Sequence, residues 1–289
     1  MRPVVVVGDV ATDVVVVVAG TPAPGSDRPA AIRSRGGGAG ANVAVHLARQ
    51  GVPVTLAGCV GDDPAGSGLR AELAAAGVTL ELRVVGGAPT GTIVCLVEPD
   101  GQRSMLADRG ANLALRPGDV PPPPPGGHLH LSGYALLHPG SRDAGLTALA
   151  AAAAAGCTVS VDPASTGPLA AYGVDRWLAD TAGATLLLPN ADEARLLTGC
   201  PDAADAARAL AREHEIVAVT LGADGALWAS GDTVAHRPAH PTVVVDTTGA
   251  GDAFAAGLLS AWLADGDPVA ALEAGLRLAA DVVRRSGAR

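Results

Sequence analysis

Asp246-Thr247-Thr248-Gly249-Ala250-Gly251-Asp252-Ala253-Phe254 follows a short β-branched run at residues 242–245 and opens an apolar stretch, 250–264. The pattern predicts a strand, a turn of small residues and then a helix. Successive backbone N–H groups at a helix start attract anions, and small residues let a phosphate approach the backbone. A carboxylate placed there repels phosphate, so Asp252 makes chemical sense as a group that serves the nucleophile. It can accept the proton of an attacking hydroxyl while the amides of Gly249, Ala250 and Gly251 hold charge on the transferred group. An acid that merely caps the helix is the simpler reading, and the nine-residue context favours the chemical one.

Around this stretch, strands and helices alternate. Val4–Val7 is a continuous β-branched run ending at Gly8-Asp9, which reads as a buried strand with a functional loop beyond its carboxyl end. Residues 14–18 read as a strand, 20–35 as loop or edge strand, 39–50 as a helix stopped by Gly51, 52–57 as a strand and 64–76 as a helix. Farther on come strands near 129–131, 157–161, 185–188 and 216–221, with helices near 141–155, 168–182, 191–197 and 202–213. A hairpin follows at 225–229 and 232–236, and helices at 250–264 and 268–285 close the pattern. Such alternation predicts an α/β fold: a mostly parallel sheet, helices on both faces, and ligands beyond the carboxyl ends of the strands. Residues 80–106 break the plan with three short strand-like runs (80–85, 91–97, 103–107), the last two flanking a turn at Pro99-Asp100-Gly101. Together with residues 12–35 they read as a small β appendage. The proline run at 121–125 reads as a stiff spacer.

The chain has 289 residues, 48% hydrophobic and 17% charged, which describes a folded globular protein with one large core. A net charge of -9 and only one Phe and two Tyr argue against a nucleic-acid partner. All 20 basic residues are Arg. The absence of Lys excludes Schiff-base catalysis and a Walker-type phosphate lysine, and leaves phosphate handling to amides, Arg and metal. Four Cys without C-x-x-C spacing argue against a metal or disulfide framework and fit a reducing cytoplasm. Gly8-Asp9 interrupts the first apolar run too early for a secretory leader, and no stretch reaches the ~18 apolar residues of a membrane span.

Three further stretches join the first. Gly36-Gly37-Gly38-Ala39-Gly40-Ala41-Asn42-Val43-Ala44 opens a helix; Asn190-Ala191-Asp192-Glu193 follows a strand; Thr220-Leu221-Gly222-Ala223-Asp224-Gly225 forms a strand-to-hairpin turn. In this order, and over essentially the whole chain, the four stretches resemble the signatures of the PfkB, or ribokinase-like, carbohydrate kinase family. The resemblance implies a ribokinase-like three-layer sandwich with a small β-sheet lid. Residues 1–289 would form one kinase domain, with the lid from about 12–35 and 88–110. It also implies ATP, Mg²⁺ and transfer to a sugar-like alcohol. Asp252 would be the base and Gly249, Ala250 and Gly251 the anion hole. Asn190 and Glu193 would organise Mg²⁺ through water, and Thr220, Gly222 and Gly225 would lie near the nucleotide. Asp13, Gly38 and Asn42 would contact the substrate. Arg109, where the lid returns to the core, would hold a substrate carboxylate or the transferring phosphate, or else form a surface salt bridge. Asp246 and Thr248, with a loop near Ser286-Gly287, would form a monovalent-cation (K⁺) site; the sequence stops at Arg289, before the last expected ligand, which weakens that expectation. Lids of this family often pair, which implies a homodimer.

At 131–134 the chain lacks an acid that ribokinase itself carries, and at 162–166 it lacks the Asn and Arg of several keto-acid-sugar kinases. The motifs therefore do not name the sugar. A nucleoside kinase of the same family is a rival reading, disfavoured by the scarcity of aromatics. A non-catalytic sugar or nucleotide sensor is another, disfavoured by intact Asp252, Asn190 and Glu193. A dinucleotide-binding dehydrogenase is weaker, because the glycine run at 36–40 follows a polar loop instead of a buried strand.

Overall fold

A computed structural model describes residues 1–18, 20, 25–27, 29–98, 103–285 and 287–289. Its strands, in chain order, are β1 (Val4–Val7), β2 (Ala11–Val18), β3 (Ala30–Gly37), β4 (Val54–Gly61), β5 (Thr79–Val85), β6 (Gly91–Val97), β7 (Arg103–Asp108), β8 (His128–Ser132), β9 (Thr158–Asp162), β10 (Leu186–Leu187), β11 (Ile216–Thr220), β12 (Ala226–Ser230) and β13 (Thr233–Arg237). The helices are α1 (Ala39–Arg49), α2 (Pro64–Ala75), α3 (Tyr134–Leu137), α4 (Pro139–Ala154), α5 (Thr166–Tyr172), α6 (Val174–Thr181), α7 (Ala191–Thr198), α8 (Ala203–Leu210), α9 (Ala250–Asp265) and α10 (Pro268–Val282).

Among the described residues, nine strands form one sheet in the order β13-β12-β11-β10-β9-β8-β1-β4-β5, parallel except for the β12–β13 hairpin. The apolar run of β1 needs no polar alternation because helices cover both faces. Val4 and Val6 point into one core with Val54, Leu56, Phe254 and Leu258; Val5 and Val7 point into the other with Leu129, Leu131 and Trp177. Helices α1, α2, α9 and α10 pack on the first face and α4 to α8 on the second, so the layers are helix, sheet, helix.

The smaller sheet runs β3-β2-β6-β7. Side chains alternate across a strand. The registers Asp13↔Ile93↔Ala107 and Val15↔Cys95↔Met105 therefore put one row on a common face, and all six line a cavity between the two sheets.

Three expectations need correction. Residues 80–85 belong not to the appendage but to β5, which pairs in parallel with β4 at the edge of the large sheet; both contexts produce a short apolar run. Residues 242–245 form no strand. They pair with no strand among the described residues; Val243, Val244 and Val245 are exposed, and the N–H groups of Val245 and Asp246 both donate to the Val283 carbonyl. The single helix expected over 168–182 is two, α5 and α6, because Gly173 adopts φ 101° between them. The Pro99-Asp100-Gly101 turn lies outside the described residues.

Candidate active site

Two helix starts converge beyond the carboxyl ends of the large sheet. Helix α9 begins at Gly249, whose φ of 76° is left-handed and whose absent Cβ would lie 2.4 Å from the Ala288 side chain. Only glycine fits both conditions. Helix α1 begins at Gly38, with φ 94°, where a Cβ would lie 2.5 Å from the Asp9 carbonyl oxygen. One turn into α1, Asn42 Nδ2 donates to Asp252 Oδ2 at 2.8 Å, so the two starts are joined by the expected base itself.

Asp252 lies in the first turn of α9. Burial pushes its carboxyl up to about 7; the Asn42 bond opposes this, the Asp162 and Asp13 charges add to it, and Arg289 counteracts it. A base poised near neutrality suits proton transfer at working pH. Asp13, at the start of β2, is pushed up to about 6 by burial, with Arg289 opposing and Asp246 adding. Its carboxyl occupies the space that a side chain at Gly37 would need, 2.2 Å from an ideal Cβ. Asp9 forms an ion pair with Arg109, whose guanidinium lies 4.0 Å over the Tyr134 ring.

Asn190 and Glu193 close a reciprocal capping box on α7: Glu193 N–H donates to Asn190 Oδ1 at 2.9 Å and Asn190 N–H to Glu193 Oε2 at 2.8 Å. Helix-start acid and candidate metal organiser are thus the same side chain. Glu193 is buried and pushed up to about 8, by burial and then by the charge of Asp162, which burial itself pushes up to about 6. Each charge disfavours the other, and a cation between them would relieve both. The donor set fits Mg²⁺, which keeps waters and phosphate oxygens as ligands. Among the described residues no group of three or more His, Cys, Asp or Glu forms a complete protein-only metal cage. Asp246, also buried, accepts from Thr248 N–H through Oδ1 and from Gly287 N–H through Oδ2, both at 2.9 Å, and so ties the loop before α9 to the segment after α10. Ser286, expected near this position, is outside the described residues.

Two cavities meet at this point. A smaller one, about 160 Å³, is lined by Asn190, Glu193, Thr220, Gly251 and Asp162; a larger one, about 970 Å³, opens under the small sheet past Asp13, Gly38, Asn42 and Arg109. Gly249 and Asp252 line both. Gly222 and Gly225 line neither. Gly222 sits in the turn after Thr220, and Gly225, at φ 98°, packs against the backbone of Arg237, where a Cβ would lie 2.0 Å from the carbonyl oxygen. Sequence reasoning passed over Asp162, Tyr134 and Arg289. Asp162 carried a usable signal, an acid at the carboxyl end of a central strand. Tyr134 and Tyr172 line the larger cavity, from helices instead of the lid strands where aromatics were sought. The guanidinium of Arg289 is buried beside Glu72 and Gly36 without a hydrogen bond, and nothing in its sequence context announces it.

Comparison with known proteins gives the family and the fold. The family model described as pfkB family carbohydrate kinase matches residues 1–289. A fructokinase of Klebsiella pneumoniae is 39% identical over 255 residues, covering 84% of this chain and 82% of that protein. An ATP-dependent ribose-1-phosphate kinase of Halopiger xanaduensis is 35% identical over 281 residues, covering 92% and 87%. Aminoimidazole riboside kinase from Salmonella enterica, solved with aminoimidazole riboside and an ATP analog, superposes with a TM-score of 0.86 at 29% identity, covering 99% of this chain and 95% of that one. Family, fold and converging site lead to one assignment: the chain belongs to the pfkB family of carbohydrate kinases.

Proposed function

We propose that the protein transfers the γ-phosphoryl group of ATP to a hydroxyl of a small sugar-like metabolite, with Asp252 as general base. The observation that carries this reading is the position of Asp252 and Gly249 at the junction of two cavities. The phosphate end of the nucleotide enters the smaller side, reaching the amides of Gly249, Ala250 and Gly251, with Thr220 nearby. Asn190, Glu193 and Asp162 would hold Mg²⁺, which when bound neutralises charge on the phosphate oxygens. The acceptor fits the larger side, its hydroxyls bonding Asp13 and Asn42. Asp252 takes the proton from the attacking hydroxyl as the amides at the start of α9 stabilise the transferring group. The small sheet above the cavity excludes water and so protects ATP from hydrolysis.

Asp246, with Thr248, is where K⁺ would sit. The larger cavity admits a nucleoside as a second reading, because Tyr134 and Tyr172 line it. Free Cys59, Cys95, Cys157 and Cys200 and the need for ATP fit a cytoplasmic enzyme; among the described residues no helix is long and apolar enough to cross a membrane. A second copy of the chain would cover the outer face of the small sheet, making a homodimer through the lid.

Asp252→Asn keeps size and shape but removes the basic oxygen. Its kcat, read as acceptor-dependent ADP release, is expected to fall at least ~10²-fold. Near-normal turnover would remove Asp252 from the mechanism.

A further inference from the structure

The larger cavity is lined by charges of both signs. Its acids are Asp9, Asp13, Asp162 and Asp252, the last placed where the hydroxyl would react. Arg109, Arg142 and Arg176 line it as well, with the imidazole of His138, and a neutral monosaccharide needs none of these guanidinium groups. His138 and Arg142 come from the start of α4, Arg176 from α6. Arg142 is held in place: its Nε–H donates to the Leu136 carbonyl at 3.1 Å, and its guanidinium lies 4.6 Å from the centre of the Tyr172 ring. Arg176 lies over the same ring at 4.8 Å.

Arg109 is matched by Asp9, and Arg176 by Asp180 at 3.8 Å. Among the described residues neither His138 nor Arg142 has an ion-pair partner, although Arg109 and Arg142, after burial, both lower the pKa of His138. Arg142, a cation with no acid of its own among the described residues, and the imidazole of His138 in the same lining offer an anion two donors. A guanidinium fixed by a backbone bond and a ring face is pre-organised for the bidentate geometry of phosphate or carboxylate. The same contacts disfavour the nucleoside, because the tyrosine rings that would stack a base already carry guanidinium groups.

We infer that the acceptor is an anionic sugar, a sugar phosphate or a sugar acid, whose charged group is held by Arg142, with His138 donating a hydrogen bond, while a free hydroxyl lies at Asp252. The inference rests on the kinase reading. The acceptor oxygen bonds to the γ-phosphorus, the bond from that phosphorus to the bridging oxygen breaks, ADP leaves with the electron pair, and the hydroxyl proton passes to Asp252. The acceptor's own anionic group takes no part in the reaction and serves only to hold it.

The test measures ADP release by the full chain with Mg-ATP, using ribose, fructose and glucose against their monophosphates and against gluconate. At least one anionic acceptor is expected to exceed its neutral parent by ~10-fold or more in kcat/KM, and the arm that does so separates phosphate from carboxylate. Arg142→Gln should lower that preference by roughly 10–100-fold, as expected for a lost charge-assisted bond. Arg142→Lys, which keeps the charge, should retain more of it, and His138→Gln gives the same comparison if the Gln variant does not fold. Neutral parents that perform as well, or an Arg142→Gln loss equal for both classes, would overturn the inference and leave the kinase intact. If no acceptor turns over, the kinase reading fails instead. Calorimetric binding of ribose 5-phosphate against ribose, with and without Arg142→Gln, then decides the anion site: equal binding overturns it.

Discussion

At the residue scale, the proposed mechanism depends on how far Asp252 is from ionising, and Arg289 bears directly on that. Its buried guanidinium favours the charged forms of both Asp252 and Asp13. Removing the charge therefore raises both carboxyls further above their present values of about 7 and about 6. A base with a higher pKa is protonated over a wider acid range, so the acid limb of the profile moves to higher pH. Arg289→Gln is expected to lose activity on the order of tenfold near pH 6 and to recover most of it above pH 8. A kcat/KM profile over pH 5.5–9 reads this, and a loss of equal size at every pH would mean that Arg289 only supports the packing. The residue was illegible in the sequence because its effect comes from a fold-dependent approach to Asp13 and Glu72. Asp252, by contrast, was legible, since its turn, its helix start and its carboxylate are contiguous in the chain.

At the element scale, strands were found by composition and misplaced where composition is ambiguous. The β-branched residues Val243, Val244 and Val245 read as a strand, yet a strand also needs a partner, and here the N–H groups of Val245 and Asp246 go to the Val283 carbonyl at the end of α10 instead. Residues 80–85 read correctly as a strand but were given to the wrong sheet, because pairing partners do not appear in a local pattern. The small sheet poses its own question, since alternation sends two apolar rows in opposite directions. The inner row covers the cavity. The outer row, in register with Val14, Val16, Val94 and Leu96, includes Ile32 and Leu106 at 63% and 65% exposure. The proposed homodimer would form through this apolar face. Leu106→Glu is expected to convert a dimer into a monomer at about 50 μM, as buried charge opposes pairing of two such faces. Light scattering checks it; a wild type that runs as a monomer at this concentration would end the dimer proposal.

At the scale of the whole molecule, the site is assembled at a cost to the fold that should be visible as a pH dependence of stability. Four carboxyls are raised by burial: Asp13 to about 6, Asp162 to about 6, Asp252 to about 7 and Glu193 to about 8. Between the unfolded carboxyl range and these values the native state binds more protons than the unfolded chain, so stability falls as pH rises through that window. The histidines of β8 act in the opposite sense. His128 and His130 are fully buried against Thr158 and Ser160, and burial lowers them to about 3 and about 4. Below their unfolded value near 6.5 the unfolded chain takes up protons that the native state refuses, so stability falls as pH drops from there. Above about 6.5 only the carboxyls act. The ligand-free protein should therefore gain thermal stability as pH falls from 8.5 to about 6.5, and the gain should flatten or reverse below. In the proposed site a nucleotide with Mg²⁺ would place a cation beside Asp162 and Glu193, so the stabilisation it confers should be larger at pH 8 than at pH 6. Scanning calorimetry from pH 5 to 8.5, with and without MgADP, measures both trends. A Tm of the free protein that climbs steadily from 6.5 to 8.5 would show that these carboxyls are not held protonated, and with them the poised state of Asp252 would go.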